Sequence, residues 1–344
     1  MKKKFSICRL HFTSPVHLGD TRDDYSISLK TVSSDTMYAA LTSSLAKIGR
    51  EIPENGDLGF SISSLFPFYQ KDLDSEPIYF FPKPLRSSLT QLKEIEKVKA
   101  IKKIQWLDEK EFSKILQGDY SSMNSSESEE SAASPIKGHY LTNQAVDKDF
   151  IFSSGSQRVK VPRDYSIEKD ATPFYMDRIS FKDYSGLFFI IDGKTNLLKP
   201  ALDILQFEGI GTDRNIGNGL FSYDICIDEI ELDLPDSQNT EYVLSLSMFI
   251  PETKKQLTEM LKGDKTGYDF VRRGGWITTH PFNTYRKNAI HAFIHGSVFS
   301  HKMPENIEIS GRIVNLRPEI ELGQGKVDHP IWRNGRSFFI PIVV

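Results

Sequence analysis

The spacing of apolar positions changes several times along the chain, and each change marks an element. From Phe5 to Phe12, Cys8, Leu10 and Phe12 face one way while Arg9 and His11 face the other. Phe5 and Ile7 fall out of that phase, so the spacing predicts a strand carrying a bulge. Ser34 or Asp35 then opens a helix with the stripe Met37, Leu41, Leu45 and Ile48, ended by Gly49. Leu65–Tyr69 and Ile78–Phe81 read as short aromatic strands, the second running into a stiff segment, Pro82–Arg86, with two exposed cations, Lys83 and Arg86. Leu187–Ile191 is a continuously apolar strand. Leu197, Leu198, Ala201, Leu202 and Leu205 make a second helical stripe, and Leu220–Ile227 alternates again. The order β-α-β-β…β-α-β predicts an α+β, ferredoxin-like unit whose first and last strands are neighbours, bringing Cys8 and Cys226 onto adjacent strands.

Insertions interrupt this order. Leu89–Leu116 has a charged helical pattern with a break near Trp106–Asp108, and Tyr120–Ser134 is Ser- and Glu-rich with little to bury. Together, over about residues 89–140, they predict a helical and partly flexible surface insertion. Arg158–Asp164 and Thr172–Met176 predict an extended hairpin over about residues 155–180. After Leu234-Pro235-Asp236 a second half begins. Its strand (Leu244, Leu246, Met248), its helix capped by Thr253 and its further strands predict a reduced second ferredoxin-like unit, 234–344, after a first unit, 1–233. Asn334-Gly335 predicts the turn of a terminal hairpin.

Composition narrows the function classes. The 344 residues, 39% hydrophobic, suffice for two cores. The net charge of −3 excludes a whole-protein basic field, so any polyanion site is a local patch. Two cysteines exclude a disulfide framework and a four-ligand zinc site and fit a reducing cytoplasm. The basic start, Met1–Lys4, is not followed by the apolar run of a signal peptide, and no run is long enough for a membrane span. Exposure of the aromatic stretch Leu65–Tyr69 is expected, and with it a partner.

Candidate chemistry centres on Glu208–Gly219, where Gly209, Gly211, Gly217 and Gly219 surround Arg214. Such a run can aim successive N–H groups at one anion, with Arg214 adding a cationic fork. The alternative is a tight helix-to-strand connection. The order helix, loop, strand is the reverse of P-loops and dinucleotide fingerprints, which argues against both. His17, between first strand and first helix, has the position of a general base for metal-independent RNA cleavage, with Asp20, Asp23 and Asp24 following; a phosphate contact and a solvated acidic turn are the alternatives. His280, His291, His295 and His301 share no predictable face. No catalytic constellation, metal set or cofactor motif emerges. RNA binding has more support: Lys83, Arg86, Arg163, Arg214, Arg272, Arg273, Arg286 and Lys287 stand near glycines or aromatics, with Tyr175, Trp276 and Tyr285 among them. Mixed phosphate clamps and stacking faces hold splayed single-stranded RNA.

These pieces, in order, resemble the 5′-tag-binding RAMP subunit of type III-A CRISPR effectors, the fourth Csm subunit. The resemblance runs through Ser34–Leu41, Phe81–Pro84, Gly209–Gly219, Arg273–Ile277, Arg286-Lys287, Gly296–Val298 and His329–Gly335. It implies a tandem ferredoxin-like (RRM-like) RAMP fold with a glycine-rich loop and a thumb. It further implies a non-catalytic subunit that grips the crRNA 5′ tag, docks on the large polymerase-like subunit and contacts the first repeating backbone RAMP subunit. On that basis Gly209, Gly211, Thr212, Arg214, Asn215, Gly217 and Gly219 are expected against RNA backbone. Arg273, Trp276, Arg286 and Lys287 form a second motif; His17, Lys83 and Arg163 complete the candidate set. In the thumb, Tyr165, Phe174 and Tyr175 are expected to wedge against the guide. The rivals are a RAMP endoribonuclease processing precursor CRISPR RNA with His17 as base, and a pure scaffold that touches no RNA.

Overall fold

The predicted first strand is β1, Lys2–Phe12, and the chain returns to pair with it on both sides. The computed structural model describes residues 1–19, 24–85, 101–124, 134–161, 171–182, 184–305, 307–319, 321, 323 and 325–344. After β1 come α1 (Ser34–Lys47), β2 (Phe60–Ile62), β3 (Phe66–Tyr69), β4 (Ile78–Pro82), β5 (Trp106–Asp108) and α2 (Glu109–Leu116). Then follow β6 (Ile136–Lys137), β7 (Tyr140–Leu141), β8 (Ile151–Lys160), β9 (Thr172–Phe181), β10 (Gly186–Gly193), α3 (Leu198–Glu208) and β11 (Phe221–Asp233). The main sheet runs β11-β1-β10-β3-β4-β5-β7-β6, with β2 also on β10. First and last strands of the β-α-β-β…β-α-β unit are therefore neighbours, and the register slips between Phe5 and Ile7, where the sequence phase breaks. Cys8 stands opposite Ile225 and Cys226 opposite Ile7, so the two thiols lie on adjacent strands but on opposite faces and do not form a disulfide.

α1 buries Met37, Leu41 and Leu45, and α3 buries Leu198, Ala201, Leu202 and Leu205. The cap of α1 is Ser33, one residue before the expected one, and Ile48 is partly exposed beyond the last turn. Lys47 at the end of α1 pairs with Glu208 at the end of α3 at 2.6 Å.

The insertion departs from expectation. The break at Trp106–Asp108 is a strand that pairs with β4, Phe81 opposite Leu107, and runs parallel to β7. Asp108 caps α2 by accepting the Glu111 N–H, and α2 buries Phe112, Ile115 and Leu116. Phe112 stacks on Phe81 at 4.6 Å. Register places Phe81, Phe66 and Phe188 on one face of the sheet, opposite the face on which Phe60 meets Tyr38 of α1. This part of the insertion thus extends the sheet and covers the face that RRM domains use to stack bases. A three-residue strand is too short to show alternation, so helical spacing reads straight through it. Under this cover Phe66 and Phe68 are fully buried rather than exposed, and Leu65, on the other face, is buried as well. The Ser/Glu-rich residues 125–133 lie outside the described residues.

The second half contains β12 (Tyr242–Ser245), α4 (Lys254–Met260), β13 (Phe270–Arg273), β14 (Ile290–Phe293), β15 (Val298–Ser300) and β16 (Glu308–Ser310), then β17 (Ile313–Asn315), β18 (Trp332–Asn334) and β19 (Ser337–Ile342). One sheet runs β15-β12-β19-β16, while β13–β14 and β17–β18 are separate pairs. Thr253 caps α4 as predicted. Asn334-Gly335 does not turn a hairpin: β18 pairs with β17, whereas β19 pairs with β12 and β16. Gly335 serves close approach instead; a Cβ there would lie 2.4 Å from Ile250 Cβ. Leu244, Leu246, Phe338 and Ile340 join Leu10 and Phe66 in one continuous core. No helix among the described residues is long and apolar enough to cross a membrane.

Candidate nucleic-acid interface

Gly209 ends α3 at φ 72°, and Gly211, Gly217 and Gly219 also have positive φ. At two of these the glycine is demanded by close packing. A Cβ on Gly211 would lie 2.3 Å from the His17 carbonyl oxygen, and one on Gly219 would lie 2.0 Å from that of Ile210. Backbone bonds fasten the loop to the chain leaving β1: the Thr212 N–H donates to His17 O (2.9 Å) and the Gly219 N–H to Pro15 O (2.9 Å). The fastening leaves the tip of the loop outward. Arg214 and Asn215 are exposed in a single 3-10 turn after Asp213, which is itself left-handed at φ 60°. The amides of Gly211, Asp213, Arg214 and Asn215 find no acceptor among the described residues, and the Arg214 side chain has no ion pair there. Open space surrounds Gly217.

The hairpin expected from sequence is β8–β9, paired from Ile151↔Phe181 to Lys160↔Thr172. It is tied to the loop by Arg158, whose guanidinium donates to Asp213 at 2.5 Å. Tyr175 is exposed on it, while Phe174 packs on Tyr25 with ring centroids 5.5 Å apart. Arg163 and Tyr165 lie outside the described residues.

His17 sits beneath this junction and is only 1% exposed. Its Nδ1 lies 2.7 Å from the Asp177 carbonyl, which can only accept, so Nδ1 carries the proton. Nε2 is left buried without a partner. Asp24 accepts from Ser26 in a local turn, while Asp20 and Asp23 lie outside the described residues.

The second motif forms around a residue that sequence reasoning treated only as a helix opener. Asp35 is 1% exposed and takes a bidentate pair from Arg273, Nε at 2.7 Å and Nη2 at 2.9 Å. Arg333 Nη1 approaches the same carboxylate at 3.3 Å. Lys287 lies close enough for this cluster to act on it: burial first, then the positive charge of Arg333, lowers its ammonium from 10.5 to about 7, with Arg273 adding to the shift and Asp35 opposing it. Trp276 bridges to Arg286, whose guanidinium lies 4.8 Å from the Trp276 ring centre. Asp35 and Lys47 are twelve residues apart on α1, so this cluster and the glycine loop stand roughly 18 Å apart along the helix. The first-turn acidic position of Asp35 was the one available signal; its partners come from remote segments.

Lys287 sets a pH dependence. Between pH 7 and 10 the unfolded side chain keeps a proton that the folded one has shed, so this group makes stability rise with pH across that window. Below pH 7 the penalty of holding the charge is fully present. Lys287→Met is expected to melt higher than wild type near pH 6.5 in chloride buffer and to converge with it near pH 10, measured by thermal melts.

Lys83 is not an exposed cation. It is half-buried and donates to the Ile101 carbonyl at 2.9 Å, and burial lowers its pKa. Two prolines hold it against the insertion, a structural tether that local sequence does not reveal. An open groove of about 520 Å³ lies near the loop's fastening, lined by His11, Ser14, Pro15, Phe181, Lys182 and Tyr184 among others.

A ferredoxin-like unit with a glycine-rich loop after its second core helix and a long hairpin tied to that loop has the arrangement of a RAMP fold. Residues 238–342 match the family described as the CRISPR Csm4 C-terminal domain, and over most of its length the chain is similar to Csm4 proteins. It is 25% identical over 299 residues to the CRISPR system Cms protein Csm4 of Streptococcus thermophilus, covering 84% of this chain and 85% of that one. The Csm4 protein of Methanocaldococcus jannaschii is 23% identical over 98% of this chain and 97% of its own. In fold, the chain is similar to a crystal structure of a Csm3-Csm4 subcomplex of the type III-A interference complex: TM-score 0.59, 17% identity, 98% of this chain and 100% of that one. A Csm1-Csm4 cassette crystallised with cA4 gives 0.56 at 17% identity, with 99% of each chain covered.

Proposed function

We propose that this chain is a non-catalytic guide-RNA subunit that grips the 5′ tag of the crRNA and caps the foot of a type III-A interference complex. The observation that carries the proposal is the outward side of the glycine loop. There, unpaired amides and the Arg214 fork share one surface, fastened rigidly from below and tied to the hairpin by Arg158–Asp213. Phosphates supply grip at such a surface, and splayed bases find stacking faces on exposed rings such as Tyr175. The solved relatives were crystallised as Csm1-Csm4 and Csm3-Csm4 assemblies. By analogy we assign this chain a bridge between the large polymerase-like subunit and the first backbone subunit, with units 1–233 and 234–344 as its two halves.

The endoribonuclease alternative needs His17 as a base. Its free nitrogen is buried under the loop, out of reach of a ribose hydroxyl in solvent, which favours the non-catalytic role.

The test is binding of the purified chain, alone and with the large subunit, to labelled crRNA with and without its tag across a salt series, with cleavage followed in the same tubes. Tag-dependent binding of intact RNA is expected, its logarithm falling with log salt by roughly 0.7 per phosphate contacted. Arg214→Ala is expected to weaken tag binding about tenfold and leave the melting temperature unchanged. A large drop in melting temperature would instead make Arg214 structural, and cut RNA would restore His17 as a base.

A further inference from the structure

We propose that Arg273, Arg333 and Lys287, ranged around Asp35, form a pocket that takes one phosphate of the guide RNA. The inference rests on the guide-RNA reading above and adds a second grip point at the other end of α1. The charge count motivates it: two guanidinium groups, joined by Lys287 when it is protonated, stand against one carboxylate. Arg273 already takes both oxygens of Asp35 and also donates to Thr36 Oγ1 at 2.5 Å. Arg333 is 7% exposed, and its Nε is buried with no acceptor. The Lys287 ammonium has no ion pair among the described residues, and burial first, then the Arg333 charge, lowers its pKa. Surplus buried charge and an orphaned guanidinium donor are costly unless an anion completes them.

The surroundings favour RNA over a protein carboxylate as that anion. Lys287 follows Arg286, which lies over the Trp276 ring, and the Lys287 N–H donates to Gly275 O at 3.0 Å. A cation and a flat indole one residue from the phosphate pocket suit a nucleotide, whose base stacks where its phosphate is held.

The experiment uses the full chain and three proteins: wild type, Lys287→Met and Lys287→Arg. Removing a poorly paired buried charge does not threaten the fold, and the arginine variant keeps the charge. Two readouts are taken: melting temperature in phosphate against chloride at equal ionic strength, and tag-RNA affinity across salt. The expected result is a phosphate-dependent rise in wild type that Lys287→Met loses, with RNA affinity about tenfold lower and a salt slope smaller by about 0.7, largely restored in Lys287→Arg. If wild type grips tagged RNA and Lys287→Met does so with the same affinity and slope, the pocket is overturned while the guide-RNA reading stands. If wild type does not bind the tag, that reading fails and the pocket falls with it, any phosphate response then marking an adventitious ion only.

Discussion

Asp35→Ala is expected to cost about 3–5 kcal/mol of folding stability, read as a shift of the denaturation midpoint in urea. The carboxylate is 1% exposed and is the shared acceptor for Arg273 and Arg333. Removing it leaves two guanidinium groups unpaired in a largely desolvated place, with Lys287 adding repulsion when protonated, and the penalty of unpaired buried charge exceeds what the pair contributed. The contact also spans the chain, since it joins the first turn of α1 to β13 and β18. The loss should therefore loosen the seat of the second half as well as the helix. Adding Lys287→Met to Asp35→Ala should recover part of the loss, because one of the repelling charges is gone. A change below 1 kcal/mol in Asp35→Ala would show that Asp35 does not hold these cations.

Gly219→Ala is the second large effect, expected at about 3 kcal/mol, from left-handed strain of about 1–2 and overpacking of about 1–3 kcal/mol. The added Cβ would meet the Ile210 carbonyl oxygen at 2.0 Å at a backbone φ of 73°. It would break the close pairing in which the Ile210 N–H donates to Gly219 O at 3.0 Å and the Gly219 N–H to Pro15 O. The loop would lift from the end of β1, and the outward amides would lose their aim, so tag affinity should fall with stability. Gly217→Ala is the internal comparison. Its Cβ meets open space, so only the strain of a positive φ remains, about 1–2 kcal/mol. Equal losses at the two positions would refute the claim that close packing of the loop, rather than its φ angles alone, holds it in place.

Much of the framework was legible beforehand. The out-of-phase Phe5 and Ile7 marked a real register shift, and the stripes Met37–Leu41–Leu45 and Leu198–Leu202–Leu205 marked the faces that α1 and α3 bury. The helix-to-strand glycine run became a loop with four left-handed glycines. Elements too short to show a period are not legible: β5 reads as a break between helices, and Asn334-Gly335 as a hairpin turn, although its glycine lies against Ile250. Burial at Phe66, Phe68 and Lys83 is not legible in the sequence, because the segment that covers them reads as standing away from the core.

The chain's own spacing determined which segments become strands and helices, their order, and where only glycine could carry the backbone, because each of these depends on neighbours a few residues away. It determined nothing about the partners of the cations. Arg273 meets Asp35 across 238 residues and Arg333 meets it across 298, while Arg158 reaches Asp213 across 55. Those meetings follow from how the sheets and helices pack, and charge along a sequence carries no record of distance in the fold. Only the tertiary structure decided that Lys83 is a tether, that His17 is buried, that Arg214 faces outward, and that Asp35 gathers two guanidinium groups around one buried carboxylate.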